Sequence, residues 1–136
     1  MSIPLVTINL VVLNGKKYIK HCLKAVQKQT YSNLEVNVFD NGSTDGTKEI
    51  VRQEFSQFNL IESSKNLGTW PGQEKALELS HGKYIVALSV DVLIEPLTIE
   101  KAVTVLEKDE QIGALEAKIL QYNMIGDKVI KTNLID

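Results

Sequence analysis

The stretch GKYIVALSVD, residues 82–91, decides the fold that the sequence predicts. Tyr84 to Leu88 is a continuous apolar and β-rich run, which is typical of a buried central strand in a parallel sheet. The chain then turns polar at Ser89 and Asp91, where the carboxyl edge of that sheet should lie. Because ligands of open α/β sheets bind at this edge, Asp91 is a candidate site residue.

A second predicted strand ends in the same way. The run LEVNVF, residues 34–39, is followed by Asp40. Two strand-end aspartates in one small domain indicate a site for a cation or a polyphosphate, and Ser89, two residues before Asp91, would share its face. A serine and a carboxylate together can hold a hard divalent cation. Taken alone, Asp91 fits a solvated turn slightly better, since exposed aspartates are commonplace.

Size and composition limit the possible classes of protein. The chain has 136 residues, enough for one domain spanning 1–136, and a formal net charge of −2, which argues against a nucleic-acid partner. A single cysteine, Cys22, excludes an internal disulfide and predicts a reducing, cytoplasmic compartment. Cys22 falls on the apolar stripe of the first predicted helix, so we expect a buried small hydrophobe rather than a nucleophile. No run approaches the roughly 18 apolar residues of a membrane span.

The predicted elements alternate as β-α-β-α-β-α-β-α-β, which indicates an α/β fold with a mainly parallel sheet and helices on both faces. A fifth strand is predicted over about Ile112–Leu120. Helix boundaries are predicted from capping chemistry, which favours Ser43, Thr44 or Asp45 as an N-cap, Gly82 as the glycine after a C-cap, and Pro96 in the first turn of a helix running to about Lys108.

Two loops leave structural and functional interpretations about equally open. The run DNGSTDGT, residues 40–47, opens a helix and could offer N–H groups to an anion, or it could be a turn with a cap. The run NLGTWPG, residues 66–72, contains backbone-permissive residues that would let the chain approach a ligand, or it could simply lead into a helix. Neither a Gly-x-Gly-x-x-Gly fingerprint nor a P-loop is present, so a Rossmann dinucleotide site is not expected.

Five pieces of the sequence, taken in order, resemble the nucleotide-binding half of family 2 glycosyltransferases, the inverting GT-A type. The resemblance runs from Val6 to about Leu120, and its spacing looks most like the rhamnosyltransferase-type members. The matching pieces are VVLN (11–14), QTY (29–31), DNGSTDGT (40–47), NLG (66–68) with Gly72, and GKYI (82–85) leading into SVD (89–91). The resemblance implies a Rossmann-like GT-A nucleotide-binding fold.

The resemblance also implies roles for individual residues. Asp40 matches the aspartate that hydrogen-bonds the pyrimidine ring of the sugar nucleotide, and Leu13 matches the wall of the base pocket. Ser89-Val90-Asp91 stands at the Asp-x-Asp position, whose last aspartate coordinates Mg²⁺ or Mn²⁺, although Ser89 replaces the first aspartate. The residues expected to bind the nucleotide sugar are Leu13, Asn14, Asp40, Asn66, Gly68, Ser89 and Asp91, and Asp91 is the expected metal ligand.

The implied function is the donor-binding part of a glycosyltransferase of polysaccharide or cell-envelope synthesis. Its partners would be a UDP- or dTDP-sugar donor and a carbohydrate or lipid-linked acceptor. Nothing after Asp91 matches the family's catalytic base, so no catalytic residue is assigned and we expect an inactive piece of a longer enzyme. Peripheral membrane association of that enzyme and self-association through bared apolar surface are further expectations.

Two other interpretations compete with a transferase. One is a non-catalytic nucleotide-binding or protein-interaction module of the same fold. The other is a flavodoxin-like phosphoacceptor domain, which also uses strand-end aspartates and Mg²⁺. The second needs an acidic pair just after the first strand, where Asn14-Gly15-Lys16 supplies none.

Overall fold

The computed structural model describes residues 3–135, with side chains described as far as residue 132. Strands and helices alternate through the first eight elements, and two further strands follow. The elements are β1 Val6–Val12, α1 Ile19–Gln27, β2 Leu34–Asp40, α2 Thr47–Glu54, β3 Asn59–Glu62, α3 Thr69–Glu78, β4 Tyr84–Ser89, α4 Thr98–Lys108, β5 Leu120–Ile125 and β6 Lys128–Ile135.

The first four strands form one parallel sheet in the order β3-β2-β1-β4. The central strand β1 is apolar along most of its length, as expected for a strand that is covered on both faces. Its register brings Val12 beside Asp40 and Val11 beside Ser89. The ends of β2 and β4 therefore lie at the same carboxyl edge, on either side of β1.

Helices cover both faces of this sheet, which confirms the predicted α/β fold. On one face, alternate residues of β1 pack with apolar residues from α1, α2 and α4. The members of this core include Val6, Ile8, Leu10 and Val12 of β1, Ile19, Cys22, Leu23 and Val26 of α1, Val51 of α2, and Ile99 and Val103 of α4. On the other face lies α3, where the side of Gly72 meets Val11 so closely that an added Cβ would stand 2.9 Å from its Cγ1.

A row of side-chain amides, two of them buried, crosses the sheet on the α3 face. Asn37 Nδ2 donates to Asn9 Oδ1 at 3.2 Å, and Asn59 Nδ2 donates to Asn37 Oδ1 at 2.9 Å. Asn9 also bonds the hydroxyl of Ser80, just after α3, at 2.9 Å. We call Asn9, Asn37 and Asn59 the asparagine ladder. Because these residues pair in register across β1, β2 and β3, the ladder favours one alignment of the three strands.

A second polar network lies at the amino edge of the sheet and ties the α3–β4 connection to β1 and β2. Glu35 Oε2 accepts from the Thr7 hydroxyl at 2.5 Å and from the His81 N–H at 2.9 Å, and Glu35 Oε1 lies 2.7 Å from His81 Nδ1. The N–H of Gly82 donates to Thr7 Oγ1 at 2.9 Å. We call these four residues the amino-edge network.

The predicted fifth parallel strand is wrong. Residues 112–119 form neither helix nor strand, and Leu120 begins the antiparallel hairpin of β5 and β6. The apolar residues of the predicted segment lack the partner strand that a continuation of the parallel sheet requires. An apolar run by itself does not reveal whether such a partner exists.

The starts of helices α2, α3 and α4 differ from the predicted ones. Gly46, with φ of 97°, is the N-cap of α2 in place of residues 43–45, and α3 already begins at Thr69, so Trp70, Pro71 and Gly72 are helical. Helix α4 ends at Lys108 as predicted but begins at Thr98, two residues after Pro96.

Gly82 does not follow a C-cap, because α3 ends at Glu78. A Cβ at Gly82 would lie 2.6 Å from the Thr7 backbone nitrogen and 2.7 Å from the Tyr84 carbonyl oxygen. The physical reason for a glycine here is therefore close packing of two backbones rather than helix termination.

Contacts divide the chain into two compact units, Met1–Val103 and Thr104–Asp136. The first contains the parallel sheet, and the second contains the β5–β6 hairpin. That the whole chain forms one domain stays a prediction. Within the residues that the structure describes, none of the helices combines the length and apolar character needed to cross a membrane.

Candidate functional site

Three loops meet at the carboxyl edge of the parallel sheet. They follow β1, β2 and β3 and carry Asn14, Asp40 to Asp45, and Asn66 to Gly68. Asp40 and Ser89 pair with adjacent residues of β1 from opposite sides, so their backbones are separated by two strand spacings, about 10 Å. The structure thus brings the predicted site residues of β2 and β4 to one edge.

Asp40 is the last residue of β2 and is almost completely buried, with 1% of its surface exposed. One carboxylate oxygen, Oδ1, accepts a hydrogen bond from the Ser43 N–H at 2.8 Å. The other, Oδ2, is buried and has no hydrogen-bond partner within the described part of the chain. We call Asp40 Oδ2 the open oxygen. A buried carboxylate oxygen without a donor is costly, so the open oxygen is a candidate acceptor for a hydrogen bond from a ligand.

Asn41 joins the end of β2 to the loop after β3. Its Oδ1 accepts from the Leu67 N–H at 2.8 Å, and its Nδ2 donates to Asn66 Oδ1 at 3.1 Å and to the Gly68 carbonyl at 3.0 Å. Asn66 in turn accepts from the Gly68 N–H at 2.8 Å. The predicted site residues Asn66 and Gly68 are therefore held beside Asp40, through a residue that the sequence analysis treated only as part of a turn.

Asn14 joins the end of β1 to the loop after β2. Its N–H donates to Ser43 Oγ at 2.9 Å, and its side-chain oxygen accepts from the Thr44 N–H at 2.9 Å. Asn14 has a φ of 51°, a left-handed conformation that asparagine tolerates better than most residues. Since Ser43 also donates its N–H to Asp40, this pair of bonds fixes the carboxylate. The neighbouring Leu13 has 42% of its surface exposed, as a pocket wall requires.

Asp45 organises the start of α2. Its Oδ1 accepts from the Thr47 N–H and hydroxyl at 3.0 and 2.5 Å, and its Oδ2 accepts from the Lys16 N–H at 3.0 Å. Burial would raise the pKa of Asp45, but these hydrogen bonds outweigh it and hold the pKa below its ordinary value. Asp45 and Glu49 line an open pocket of about 500 Å³ here. Lys48 lines the same pocket, so its lining carries charges of both signs, and the anion-binding interpretation of this loop stays a prediction.

Ser89 and Asp91 lie together at the exposed end of β4. The Ser89 hydroxyl donates to Asp91 Oδ1 at 2.5 Å, which fits their predicted common face. Among the described residues there is no group of three or more His, Cys, Asp or Glu side chains that could hold a metal ion. The donor set, one carboxylate and one hydroxyl, fits a Mg²⁺ or Mn²⁺ that takes its other ligands from water and phosphate oxygens.

Cys22 is buried beneath this edge. Its thiol contacts the Ser89 carbonyl oxygen at 3.8 Å and has no measurable exposure. Burial, together with the charge of Asp91, raises the pKa of the thiol to about 12. A thiol that stays protonated is a poor nucleophile, so the predicted role of a small buried hydrophobe is confirmed.

A second pocket, of about 590 Å³, opens at the amino end of the sheet between the α1–β2 connection and the start of β3. It is lined in part by Glu35 and Asn59, whose polar groups bond Thr7 and Asn37. The carboxyl edge, with its open oxygen, is the better candidate for a binding site. Asn41 and Ser43 are the residues there that sequence reasoning missed, because Asn-Gly and Ser are also ordinary turn residues.

Comparison with known proteins identifies the family. Residues 7–123 match the family model "Glycosyl transferase family 2". An uncharacterized glycosyltransferase of Haemophilus influenzae is 34% identical over 116 residues, which is 82% of this chain and 36% of that protein. A chondroitin synthase of Escherichia coli is 34% identical over 109 residues, 79% of this chain and 16% of that protein. The chain thus spans about a third or less of the length of these relatives.

Solved structures agree with the fold. The mannosyltransferase PcManGT of Pyrobaculum calidifontis, in complex with GDP-Man and Mn²⁺, superposes with a TM-score of 0.72 at 30% identity, over 76% of this chain and 32% of that one. TarS 1-349 of S. aureus, in complex with UDP-GlcNAc, superposes with a TM-score of 0.70 at 27% identity, over 76% of this chain and 31% of that one. The α/β fold of GT-A type is confirmed, and the chain belongs to glycosyl transferase family 2.

Proposed function

We propose that this chain binds the nucleotide-sugar donor of an inverting glycosyltransferase. The donor would be a UDP- or dTDP-sugar, and the acceptor a hydroxyl of a carbohydrate or a lipid-linked glycan. Membership of the family supports sugar transfer, and the complex of TarS with UDP-GlcNAc supports a pyrimidine nucleotide donor. The residues proposed to line the donor site are Leu13, Asn14, Asp40, Asn66, Gly68, Ser89 and Asp91.

The open oxygen of Asp40 is the observation that carries the proposal. The other oxygen of this carboxylate, Oδ1, already accepts a hydrogen bond from the Ser43 N–H, so a ligand must approach Oδ2 with a hydrogen-bond donor. Uracil and thymine each carry one ring N–H between two carbonyl groups. A charged hydrogen bond from this N–H to the open oxygen would satisfy both groups and disfavour cytosine, whose corresponding ring nitrogen is an acceptor.

Asp91 and Ser89 would hold a divalent cation together with the donor's diphosphate. A Mg²⁺ or Mn²⁺ bound there would neutralise negative charge on the departing nucleoside diphosphate. The complex of PcManGT with Mn²⁺ supports a metal in this family. With only one carboxylate, Asp91, the site should bind its metal weakly until phosphate oxygens complete the coordination.

Transfer with inversion needs groups beyond donor binding. The acceptor hydroxyl attacks the anomeric carbon from the face opposite the leaving diphosphate, and a base takes the hydroxyl proton. We assign no residue of this chain as that base. The contribution that we assign to this chain is to hold the nucleoside and diphosphate so that the sugar is oriented for attack.

The finer parts of the proposal concern subtype and location. The spacing of the five matching pieces looks most like that of rhamnosyltransferase-type members, which makes a dTDP-linked deoxysugar one donor to test. The single, buried Cys22 is compatible with a reducing cytoplasmic compartment, where nucleotide sugars are available. Contact of the whole enzyme with a membrane surface would follow from a lipid-linked acceptor.

Calorimetry with UDP, dTDP and GDP, each with and without Mn²⁺, tests the proposal directly. We expect UDP or dTDP to bind more tightly than GDP, and Mn²⁺ to strengthen binding. Release of nucleoside diphosphate from sugar nucleotides, measured with candidate acceptors, tests transfer separately. We expect the 136-residue chain to show no acceptor-stimulated turnover. Equal binding of GDP and of the pyrimidine nucleotides would contradict the proposed UDP- or dTDP-sugar donor.

The main alternative is a non-catalytic module of the same fold. Both interpretations predict nucleotide binding, but only a transferase requires the donor sugar to be cleaved by the longer enzyme. Turnover by the whole protein would exclude the module. Nucleotide binding without any cleavage by that protein would favour it.

A further inference from the structure

We infer that Asn41 is a positioning residue of the donor site, which sets the distance between the open oxygen of Asp40 and the loop 66–68. The inference rests on the proposed function, because it assigns a role to Asn41 in nucleotide binding. Asn41 itself is not among the residues proposed to contact the donor. Its side chain acts through the loop that it holds.

The side chain of Asn41 uses its oxygen and its amide nitrogen on this loop. A primary amide offers one oxygen acceptor and two N–H donors. The oxygen takes the Leu67 N–H, and the two donors go to Asn66 Oδ1 and the Gly68 carbonyl, with distances from 2.8 to 3.1 Å. Asn41 is 3% exposed, so water competes little with these bonds. Three bonds to three consecutive residues restrain both the position and the orientation of the loop.

Asn41 is anchored to the sheet on its other side. Its backbone N–H donates to the Val12 carbonyl at 2.8 Å, which continues the β1–β2 pairing one residue beyond Asp40. The residue is therefore a rigid link between the sheet edge and the loop. The Ser43 N–H that bonds Asp40 Oδ1 lies in the same turn, two residues after Asn41, and does not contact the Asn41 side chain in the hydrogen bonds described.

Close packing makes the loop position depend on this link. Gly42 has a φ of 89°, and a Cβ there would lie 2.9 Å from the Lys65 carbonyl carbon. Gly72, in the first turns of α3, would place a Cβ 3.5 Å from Asn41 Nδ2. The turn after β2 therefore packs tightly against the loop at Lys65, and the start of α3 lies next to the Asn41 side chain. Displacement of the loop would change the shape of the space in front of the open oxygen.

The variant Asn41→Asp tests the inference with the smallest change of shape. Aspartate keeps an acceptor for the Leu67 N–H but loses both donors. It also places a negative charge against Asn66 Oδ1 and the Gly68 carbonyl oxygen. We expect the Kd for UDP with Mn²⁺ to rise about tenfold. We also expect the amide hydrogens of Leu67 and Gly68 to exchange faster with solvent. Calorimetry should still give one binding site per chain, because folded protein binds, only more weakly.

Asn37→Asp is the matched control, because it makes the same chemical change in the asparagine ladder, on the strand that Asn41 follows. It should lower thermal stability and leave the Kd of the folded protein unchanged. If Asn41→Asp fails to fold, Asn66→Ala removes one of the same hydrogen bonds from the exposed side. The Leu67 N–H donates to Asn41 and not to Asn66. In the Asn66→Ala variant this N–H should exchange faster with solvent.

Three results would overturn the inference. Wild-type affinity for UDP in a well-folded Asn41→Asp protein would show that the link does not matter for binding. A reduced number of sites with unchanged Kd would show that Asn41 serves folding alone. Absence of UDP and dTDP binding by the wild-type chain would overturn the inference and the proposed function together, whereas the first two results leave the proposed function standing.

Discussion

Asn37 and Asp40 lie three residues apart on β2 and are equally buried, with 1% of their surfaces exposed, yet their polar atoms are treated differently. Asn37 donates to Asn9 and accepts from Asn59 within the asparagine ladder. Asp40 satisfies one oxygen with Ser43 and leaves the open oxygen buried. The same contrast separates the two ends of the sheet, since the amino-edge network pairs both oxygens of Glu35.

This difference distinguishes polar groups that stabilise the fold, such as Asn37 and Glu35, from Asp40, which we propose contacts a ligand. Leaving a buried polar atom without a partner costs about 1–3 kcal/mol, and more when it is charged. The ladder and the amino-edge network avoid that cost internally. The carboxyl edge does not, although the Ser43 N–H shows that donors are close by. A ligand that donates a hydrogen bond to the open oxygen would recover this cost. We therefore expect bound nucleotide to change the energy of the Asp40 side chain more than that of the residues in the ladder or the network.

Breaking the amino edge should produce the largest effect. In Gly82→Ala the new methyl group would meet the Thr7 and Tyr84 backbones at 2.6 and 2.7 Å, so one of them must move. We expect the free energy of unfolding to fall by about 3 kcal/mol. Urea denaturation measures this, with Gly113→Ala as the control, because a Cβ at Gly113 has no described neighbour within 4 Å. Equal stability of the two variants would show that the amino edge tolerates displacement.

Removing the open oxygen should affect binding and not folding. Asp40→Ala deletes the proposed charged hydrogen bond to the base, which is worth about 1.5–3 kcal/mol, or roughly ten- to hundredfold in Kd for UDP. The free energy of unfolding should change little, because the variant also removes a buried charge. Calorimetry and urea denaturation on the same samples separate the two quantities. Parallel loss of pyrophosphate binding would instead place Asp40 at the phosphates.

Asp91→Ala should abolish the strengthening of nucleotide binding by Mn²⁺. Because Asp91 is the carboxylate that Ser89 supports at this edge, its loss removes the proposed protein ligand of the metal. We expect the gain in affinity with Mn²⁺, about tenfold or less in Kd and thus up to about 1.4 kcal/mol, to disappear. Metal-free binding should stay the same. Asp127→Ala, which removes a charge from the hairpin turn, is the control, and a full metal effect in Asp91→Ala would refute the assignment.

The smallest effect concerns acid stability at the amino edge. Burial would raise the pKa of Glu35, but hydrogen bonds from Thr7 and His81 and the His81 charge outweigh it and lower the pKa from its ordinary value of 4.5. The folded state then holds its proton less tightly than the unfolded state. The resulting stability is complete above pH 4.5 and declines as the pH falls through the lowered value. In Glu35→Gln we expect this pH dependence to disappear. The free energy of unfolding should then change by no more than about 1 kcal/mol.

Thermal unfolding measured between about pH 3 and pH 7, a range that includes the ordinary pKa of a glutamate, checks this prediction. Glu116→Gln is a suitable control, because Glu116 is exposed and lies outside the amino-edge network. Identical pH profiles of wild type and Glu35→Gln would show that the Glu35 hydrogen bonds do not contribute to acid stability.

Most of the fold could be predicted from local patterns. Strands β1, β2 and β4 are apolar runs bounded by turn residues, and Ile19, Cys22, Leu23 and Val26 recur at the spacing of one helix face. The predicted fifth strand failed because residues 112–119 are apolar enough for a strand but have no pairing partner that local sequence could reveal. Gly82 was misassigned for a similar reason, since the atoms that crowd it belong to β1, 75 residues earlier.

The sequence by itself determined that Asp40 and Asp91 follow parallel strands, and parallel strands end at the same edge. Only the tertiary structure decided which oxygen of Asp40 is paired and which is open. It alone revealed that Asn41, a turn residue by its sequence, bonds Leu67 and Gly68, which lie 26 and 27 residues away. Periodicity and turn preference report interactions within a few residues, whereas the saturation of a buried polar atom depends on loops that the whole fold brings together.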